Sequence, residues 1–509
     1  MGNNVRTYQT RPLLSSLAEE ILQECAKLFT HIEHSLLADM SRKKAAHTLK
    51  SAYLLKYGIT ARQFNAIRVQ VEGKVSSIKE LCKIKISDLH EKIEILNKKI
   101  AKLQKNPLLK FCVHQKKRRL HTLQERLKRF IKEQEEDTVS LCFGSKKLFH
   151  AQFHLEENGY TNHEEWLQQW RHTRTDEIFF LGSKDETSGN QTCTASIEGE
   201  ALTLRIRLPN VLHEKFGKYL TIPGIVFCYG HQEILDSLTD CHQRKVLCQA
   251  KNADYKNHGH ALTYRFKHDE KGWRLFVSTE LPTPHWKTDP KRGVIGIDIN
   301  VGHLALVETD RFGNPIHKQT IPLNLYGKTK EQSLSIIGDA CACVVSRAEQ
   351  TLKPLILEEL DFCKKKQSLK ENFCLSYSRM LSSFSYCSIL THLKSRAFSK
   401  QVEVNQVNPA FSSLIGRIKF ASRYGLSIHH AAALCIGRRF LNFSEKVPRH
   451  LDHIPDSKGA HVALSLPVRN RNKHVWHLWR LLHKRVLAAL AAHFRAQRSL
   501  STPNPAPET

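Results

Sequence analysis

Two carboxylates in this sequence stand where carboxylates are costly. The stretch VIGIDINVGHLALVETD, residues 294–310, reads as a buried strand, a tight turn over NVGH and a second strand. Alternation places Ile295, Ile297 and Ile299 on one face and Val294, Gly296 and Asp298 on the other. A carboxylate inside such a strand must be paired or bind a cation. Gly296 beside it leaves room for something to approach the backbone. About sixty residues on, PLILEELDF, residues 354–362, again runs an apolar strand into acid, at Glu358 and Glu359. Acids at the ends of two buried strands suit metal-dependent phosphoryl transfer, in which two divalent ions about 4 Å apart activate water and stabilise the leaving oxygen. Hard cations of this kind take oxygen ligands. For either acid alone, a structural ion pair is the alternative.

The elements that must position these acids occupy the last part of a long chain. Its 509 residues correspond to about three domains at roughly 150 residues each. Residues 1–12 contain VRTYQT, a strand closed by Pro12. Residues 13–137 are rich in helix formers with almost no Gly or Pro. There Leu89, Ile93, Leu96, Ile100 and Leu103 step by four and three as a heptad seam. Pro107 breaks that helix, and Leu120, Leu123, Leu127 and Phe130 resume the spacing, which predicts an antiparallel helical hairpin. Residues 138–290 turn to short alternating runs such as LTLRIRL and WRLFVSTEL, a β-rich and barrel-like domain. Residues 291–500 mix strands and helices, and 501–509 form a polar, Pro-rich tail expected to be disordered. No tandem repeat of fixed period occurs.

Charge narrows the partner. Lys plus Arg number 78 against 49 Asp plus Glu, a net +29, which removes an ordinary neutral metabolic enzyme as the default reading and makes a polyanion the first partner to consider. Lys116, Lys117, Arg118 and Arg119 on the hairpin form a cluster that suits phosphate contacts, the alternative being a solvated helix face. Lys364, Lys365 and Lys366 just after the second acid suit the holding of a nucleic-acid strand, with a solvated loop as the alternative. GITARQFNAIRVQ opens with a capping box from Thr60 to Gln63. Gln63, Asn65 and Arg68 on its first turns are of the types that read base edges in a major groove, although most helices with such residues touch no DNA. No run approaches the roughly 20 apolar residues of a bilayer span. The start MGNNVRTYQTRPLL has no apolar segment, so export is not expected. The 14 cysteines form no CxxC pair, so zinc is not expected, and they suit a reducing, cytoplasmic setting. Walker A, GxGxxG and GxSxG motifs are absent.

The segment GIDINVGHLALVETDRFGNPI resembles the first segment of a RuvC nuclease domain, an RNase H-like fold, and LILEELDF resembles the second. SSFSYCSILTHLKSRAFSKQVEVNQVNPAFSS resembles the helix and strand that follow. Together these are similar to the transposon-encoded TnpB proteins and to type V CRISPR effector nucleases, over roughly residues 294–440. The N-terminal half matches only in organisation. The resemblance implies an α+β multidomain protein, with a helical recognition lobe and a β-barrel-like wedge domain joined to an RNase H-like (RuvC) α/β nuclease domain. It implies an RNA-guided DNA endonuclease that reads a short duplex motif and cuts with one Mg2+ (or Mn2+) site. Its partners would be a guide RNA and target double-stranded DNA, with no membrane, acting as monomer or homodimer on one RNA in the nucleoid.

Carried over by position, Asp298 matches the first catalytic acid and Glu358, rather than Glu359, the second. Two departures matter. VNPAFSSLIGRIKFASRYGLS lacks the family's four-cysteine zinc ribbon, and SIHHAAALCIGRR carries His429 and His430 where a third acid belongs. The resemblance puts His430 ahead of His429 as a metal ligand and catalytic group; a histidine at a helix start would otherwise simply be exposed. The changed third segment also allows a nuclease-inactive, RNA-guided DNA-binding protein acting as repressor or transposon accessory. A structural RNA-binding protein is the third option.

Overall fold

The computed structural model describes residues 4–42, 48–251, 253–282, 284–359, 386–455, 461–470 and 472–500. The chain divides into two compact units, 1–283 and 284–509. The described residues contain no helix long and apolar enough to cross a membrane.

In the first unit, helices α1 (Ser16–Ser41), α2 (Lys50–Tyr57), α3 (Ala61–Leu103) and α4 (Lys110–Glu135) come first, after strand β1 (Val5–Thr10). Helix α3 begins where the capping box predicts: Gln63 N–H donates to Thr60 Oγ1 (3.3 Å) and Thr60 N–H donates to Gln63 Oε1 (2.9 Å). The α3–α4 hairpin closes along the expected seam, burying Leu89, Leu96 and Ile100. No side chain of α4 is fully buried, so this single seam joins it to α3.

A further helix, α5 (His163–Arg174), precedes β2 (Glu177–Phe180), β3 (Cys193–Glu198), β4 (Ala201–Arg207) and β5 (Tyr219–Ile225). Then come α6 (His231–Gln249), β6 (Thr263–Asp269) and β7 (Gly272–Glu280). These strands form two antiparallel sheets, β1-β7-β6-β2 and β3-β4-β5. The first strand pairs with the last, Tyr8 opposite Val277. Where a barrel-like domain separate from the helices was expected, both sheets share one hydrophobic core with α1, α2, α3 and α6. Helical and β-rich segments thus make a single unit because neither buries its apolar face alone.

The second unit is built on a five-stranded sheet. Its strands are β8 (Ile295–Ile299), β9 (His303–Thr309), β10 (Pro315–Pro322), β11 (Leu355–Glu358) and β12 (Val404–Val407), in the order β10-β9-β8-β11-β12. The first three form an antiparallel meander, whereas β11 and β12 run parallel to β8. Helices α7 (Lys330–Thr351) and α8 (Tyr386–Ser399) cover the face bearing Ile295, Ile297, Leu355 and Leu357. Helix α9 (Ile428–Phe440) meets the opposite face through Val294, Ile356 and Ile436. Helix α10 (Val475–Leu500) buries Trp479, Leu482 and Val486 in the core on that side.

The sheet carries a buried charge cluster. Glu308, 5% exposed, accepts from Lys353 Nζ (2.8 Å) and from Arg347 Nε and Nη2 (3.0 and 2.7 Å). Lys353 also donates to the Thr309 carbonyl (2.7 Å). Removing one partner strands the others, so Lys353→Met should destabilise the second unit by about 3 kcal/mol. Adding Glu308→Gln should restore part of that loss; both are read as denaturant midpoints.

In the first unit, half-buried His34 receives a hydrogen bond from Arg174 Nη2 at Nδ1 (2.8 Å). Burial, then the charges of Arg174 and Lys74, push its pKa down to about 4. The unfolded chain therefore takes up a proton near pH 6.5 that the folded chain refuses. This contribution to stability is whole above pH 6.5 and is lost as pH falls toward 4. His34→Gln should reduce the acid loss of thermal midpoint relative to wild type, measured from pH 7 to 4.5.

Candidate functional site

Asp298 shares a sheet face with Val294 and Gly296, and α9 lies directly on that face. A Cβ at Gly296 would stand 2.0 Å from the Ala433 carbonyl oxygen, and one at Gly437 would stand 3.0 Å from Val294 Cγ2. The room beside Asp298 is thus filled by helix backbone. This close approach brings the N-terminus of α9, capped by Ser427, to the carboxyl end of β8.

The second acid arrives by register. Leu355 pairs with Ile295 and Ile356 with Gly296 in parallel. Counting two residues further along each strand brings Glu358 level with Asp298. Neighbouring strands lie about 4.8 Å apart, and the β8–β11 ladder itself ends at Gly296 and Ile356. Crevices at the carboxyl ends of parallel strands are where open α/β sheets bind ligands.

Asp298 is buried, 8% exposed, yet no Lys or Arg pairs with it among the described residues. Its Oδ2 accepts from Asn300 Nδ2 (3.0 Å) and lies 3.1 Å from His429 Nδ1. The ring of His429 meets that of His303 edge-on, centroids 4.8 Å apart. Burial, then the proximity of His429, lowers the pKa of His303 and favours its neutral form. Glu358 Oε1 accepts a hydrogen bond from Ser412 Oγ, and the Glu358 carbonyl accepts from Tyr386 (2.7 Å).

His430 faces elsewhere. Its Nε2 lies 3.1 Å from both the Gln319 carbonyl and Thr320 Oγ1, and its Nδ1 lies 2.8 Å from Ser427 Oγ. Burial lowers its pKa, so the neutral ring ties α9 to β10. The order expected from sequence, His430 ahead of His429, is therefore reversed by geometry: both His430 nitrogens are committed, and His429 meets Asp298. Among the described residues, no three His, Cys, Asp or Glu side chains converge closely enough to hold a metal.

The remaining expected residues fall in the first unit or outside the description. Gln63 is corrected. It is 2% exposed, and its amide is used at both ends, in the capping box and by donation to the Arg207 carbonyl (3.0 Å), so it cannot read a base. Arg68 pairs with Glu72 (2.9 and 3.1 Å), one turn on, and Asn65 is half-buried. Lys117, Arg118 and Arg119 are exposed, Lys116 is partly so, and none is in an ion pair among the described residues. Lys364, Lys365 and Lys366 lie outside the described residues.

Sequence reasoning passed over Asn300, His303 and Ser412. Two of them sit in the NVGH turn and one in the NPAFSS stretch, next to residues already singled out.

No family model matches the chain, and no curated protein matches its sequence. Among solved structures it is similar to T. thermophilus RuvC in complex with Holliday junction substrate, at 16% identity and TM-score 0.21, over 28% of this chain and 88% of that one. It is also similar to a CRISPR-Cas12f ternary complex, at 11% identity and TM-score 0.19, over 85% and 98%. A Cas12i1 R-loop complex before target DNA cleavage matches at 8% identity and TM-score 0.29, over 72% of this chain and 61% of that one. The chain thus spans less than two thirds of Cas12i1. These overall likenesses are slight, and the sheet order and side chains of the second unit stand independently of them.

The helix–strand contact is directly testable. Gly296→Ala should lower the stability of the second unit by about 1–3 kcal/mol through overpacking. Gly302→Ala, where a Cβ meets nothing within 4 Å, should change it little. Equal denaturant midpoints for the two variants would contradict the packing described.

Proposed function

We propose that the second unit is an RNase H-like nuclease domain of the RuvC kind, and that the whole chain is an RNA-guided DNA endonuclease. The observation that supports this most is the pair of acids. Asp298, buried with no Lys or Arg partner among the described residues, comes level with Glu358 when the parallel register of β8 and β11 is carried two residues further. A buried carboxylate with no basic partner is suited to a cation. The two acids offer oxygen donors that fit Mg2+ or Mn2+, with His429 the nearest imidazole. Such ions, when bound, supply the activation of water and the stabilisation of the leaving oxygen.

The chain's own residues do the rest. Asn300 and His429 orient the Asp298 carboxylate, and Ser412 and Tyr386 hold Glu358. The α9 N-terminus adds partial positive charge where phosphate would approach. His430 acts as a positioning residue that fixes the helix to β10. The charge of +29 supports a bound guide RNA, with target DNA recognised by base pairing and by backbone contacts to residues such as Lys117, Arg118 and Arg119.

A second reading, a nuclease-inactive RNA-guided DNA-binding protein, is favoured by one observation. No third acid stands beside Asp298 among the described residues, and an imidazole holds its Oδ2. Wild-type protein with its co-purified RNA, given a matching plasmid and Mg2+, separates the two. We expect cleavage by wild type, its loss in Asp298→Ala with binding retained, and a drop of about tenfold or more in His429→Ala. Intact plasmid with wild type would leave the second reading; full cleavage by Asp298→Ala would end the site assignment.

A further inference from the structure

The α3–α4 hairpin ends in an apolar tip that the nuclease reading leaves unused. Leu108 is 91% exposed and Phe111 is 73% exposed. Neither is loosely held. Asn106 Oδ1 caps the short turn Pro107–Leu109 by accepting from Leu108 N–H (3.0 Å), and Leu109 N–H donates back to the Asn106 carbonyl (3.1 Å). Helix α4 starts at the next residue, which seats Phe111 on its first turn.

The charge around this tip is one-sided. Between Asn97 and Gln124 the chain carries nine Lys and Arg residues and no Asp or Glu. Acids return only nearer the base, where Glu94 pairs with Lys98 (2.5 Å) and Glu125 with Lys128 (2.9 Å). Lys105 and Lys110, which flank the turn, are exposed and have no ion-pair partner among the described residues.

We propose that the hairpin tip is a wedge for duplex DNA: Leu108 and Phe111 enter the base stack while Lys105, Lys110 and the cations behind them hold the flanking phosphates. Apolar side chains set among lysines open DNA base steps in this way, exchanging unstacking for contact. The same charge argues against a second copy of the chain as occupant, since two such tips would repel. A membrane anchor buries an apolar helix face rather than two side chains. Readers of RNA stack splayed bases on an array of aromatics, and this tip carries one. The proposal rests on the preceding reading only for DNA as the partner.

The test uses full-length Asp298→Ala protein without divalent metal, so that cleavage plays no part, and a short duplex DNA containing 2-aminopurine. Saturating protein should raise the fluorescence of the unstacked base. Leu108→Ser with Phe111→Ser should abolish the rise while anisotropy shows binding within about tenfold, the scale of one stacked base. Lys105→Gln with Lys110→Gln should instead flatten the slope of log affinity against log salt by about 2. An unchanged fluorescence in the saturated complex would overturn the wedge, as would a rise that survives the double serine variant. So would a variant that alters binding to RNA duplexes or anionic vesicles but not to DNA. A lowered thermal midpoint in the double serine variant would show that these side chains pack internally, which also defeats the proposal.

Discussion

Backbone against backbone is the contact on which the second unit depends. Helix α9 meets β8 backbone to backbone where Gly296 and Gly437 face each other, with Val294 and Ile436 packed beside that contact. A helix normally packs on a sheet at about 10 Å, the distance set by intervening side chains. Removing them draws the helix in, and with it the one turn that carries His429 and His430. The Ala431–Ala433 run serves the same end, since its small side chains are fully buried against neighbouring elements. The local chemistry of Asp298 is therefore a product of helix–sheet distance before it is a product of any single hydrogen bond.

Among the described residues, buried acids of the second unit follow a rule with one exception. Buried Glu308 is met by Lys353 and Arg347, and buried Glu445 by Arg438 (2.6 Å) and Lys419. In a chain with 78 basic residues such partners are easily found, and desolvation makes them necessary. Asp298 is equally buried, yet its partners among the described residues are an amide and an imidazole. At the hairpin tip the imbalance is reversed, with cations kept clear of acids.

Much of the second unit was legible in sequence because its information is local. A period of two with a turn between runs defines β8 and β9, and an apolar run ending in acid defines β11. The hairpin was legible for the same reason, through its heptad step and the proline that interrupts it. The first unit was less so. Alternating runs predict strands, but not whether seven of them close into a barrel or separate into sheets of four and three. That choice is made by which faces can reach a common core, and here α1, α2 and α3 supply the other half of it. A division into helical and β-rich domains follows composition, whereas burial follows packing.

The site shows where local information ends. Gln63 has the side chain of a base reader, and the capping box was visible within four residues. The Arg207 carbonyl that takes its other end lies 144 positions away, beyond any pattern. His429 and His430 pose the sharper case. Adjacent residues on a helix point about 100° apart, so only one of two neighbouring histidines can face a given strand. Which one does so depends on the rotation of α9 about its axis. That rotation is set by Gly296 under Ala433 and by the His430 bond to the β10 carbonyl of Gln319, contacts spanning more than a hundred residues. The sequence supplies the residue type but not the rotation, and the rotation decides whether the imidazole touches the acid or the neighbouring strand.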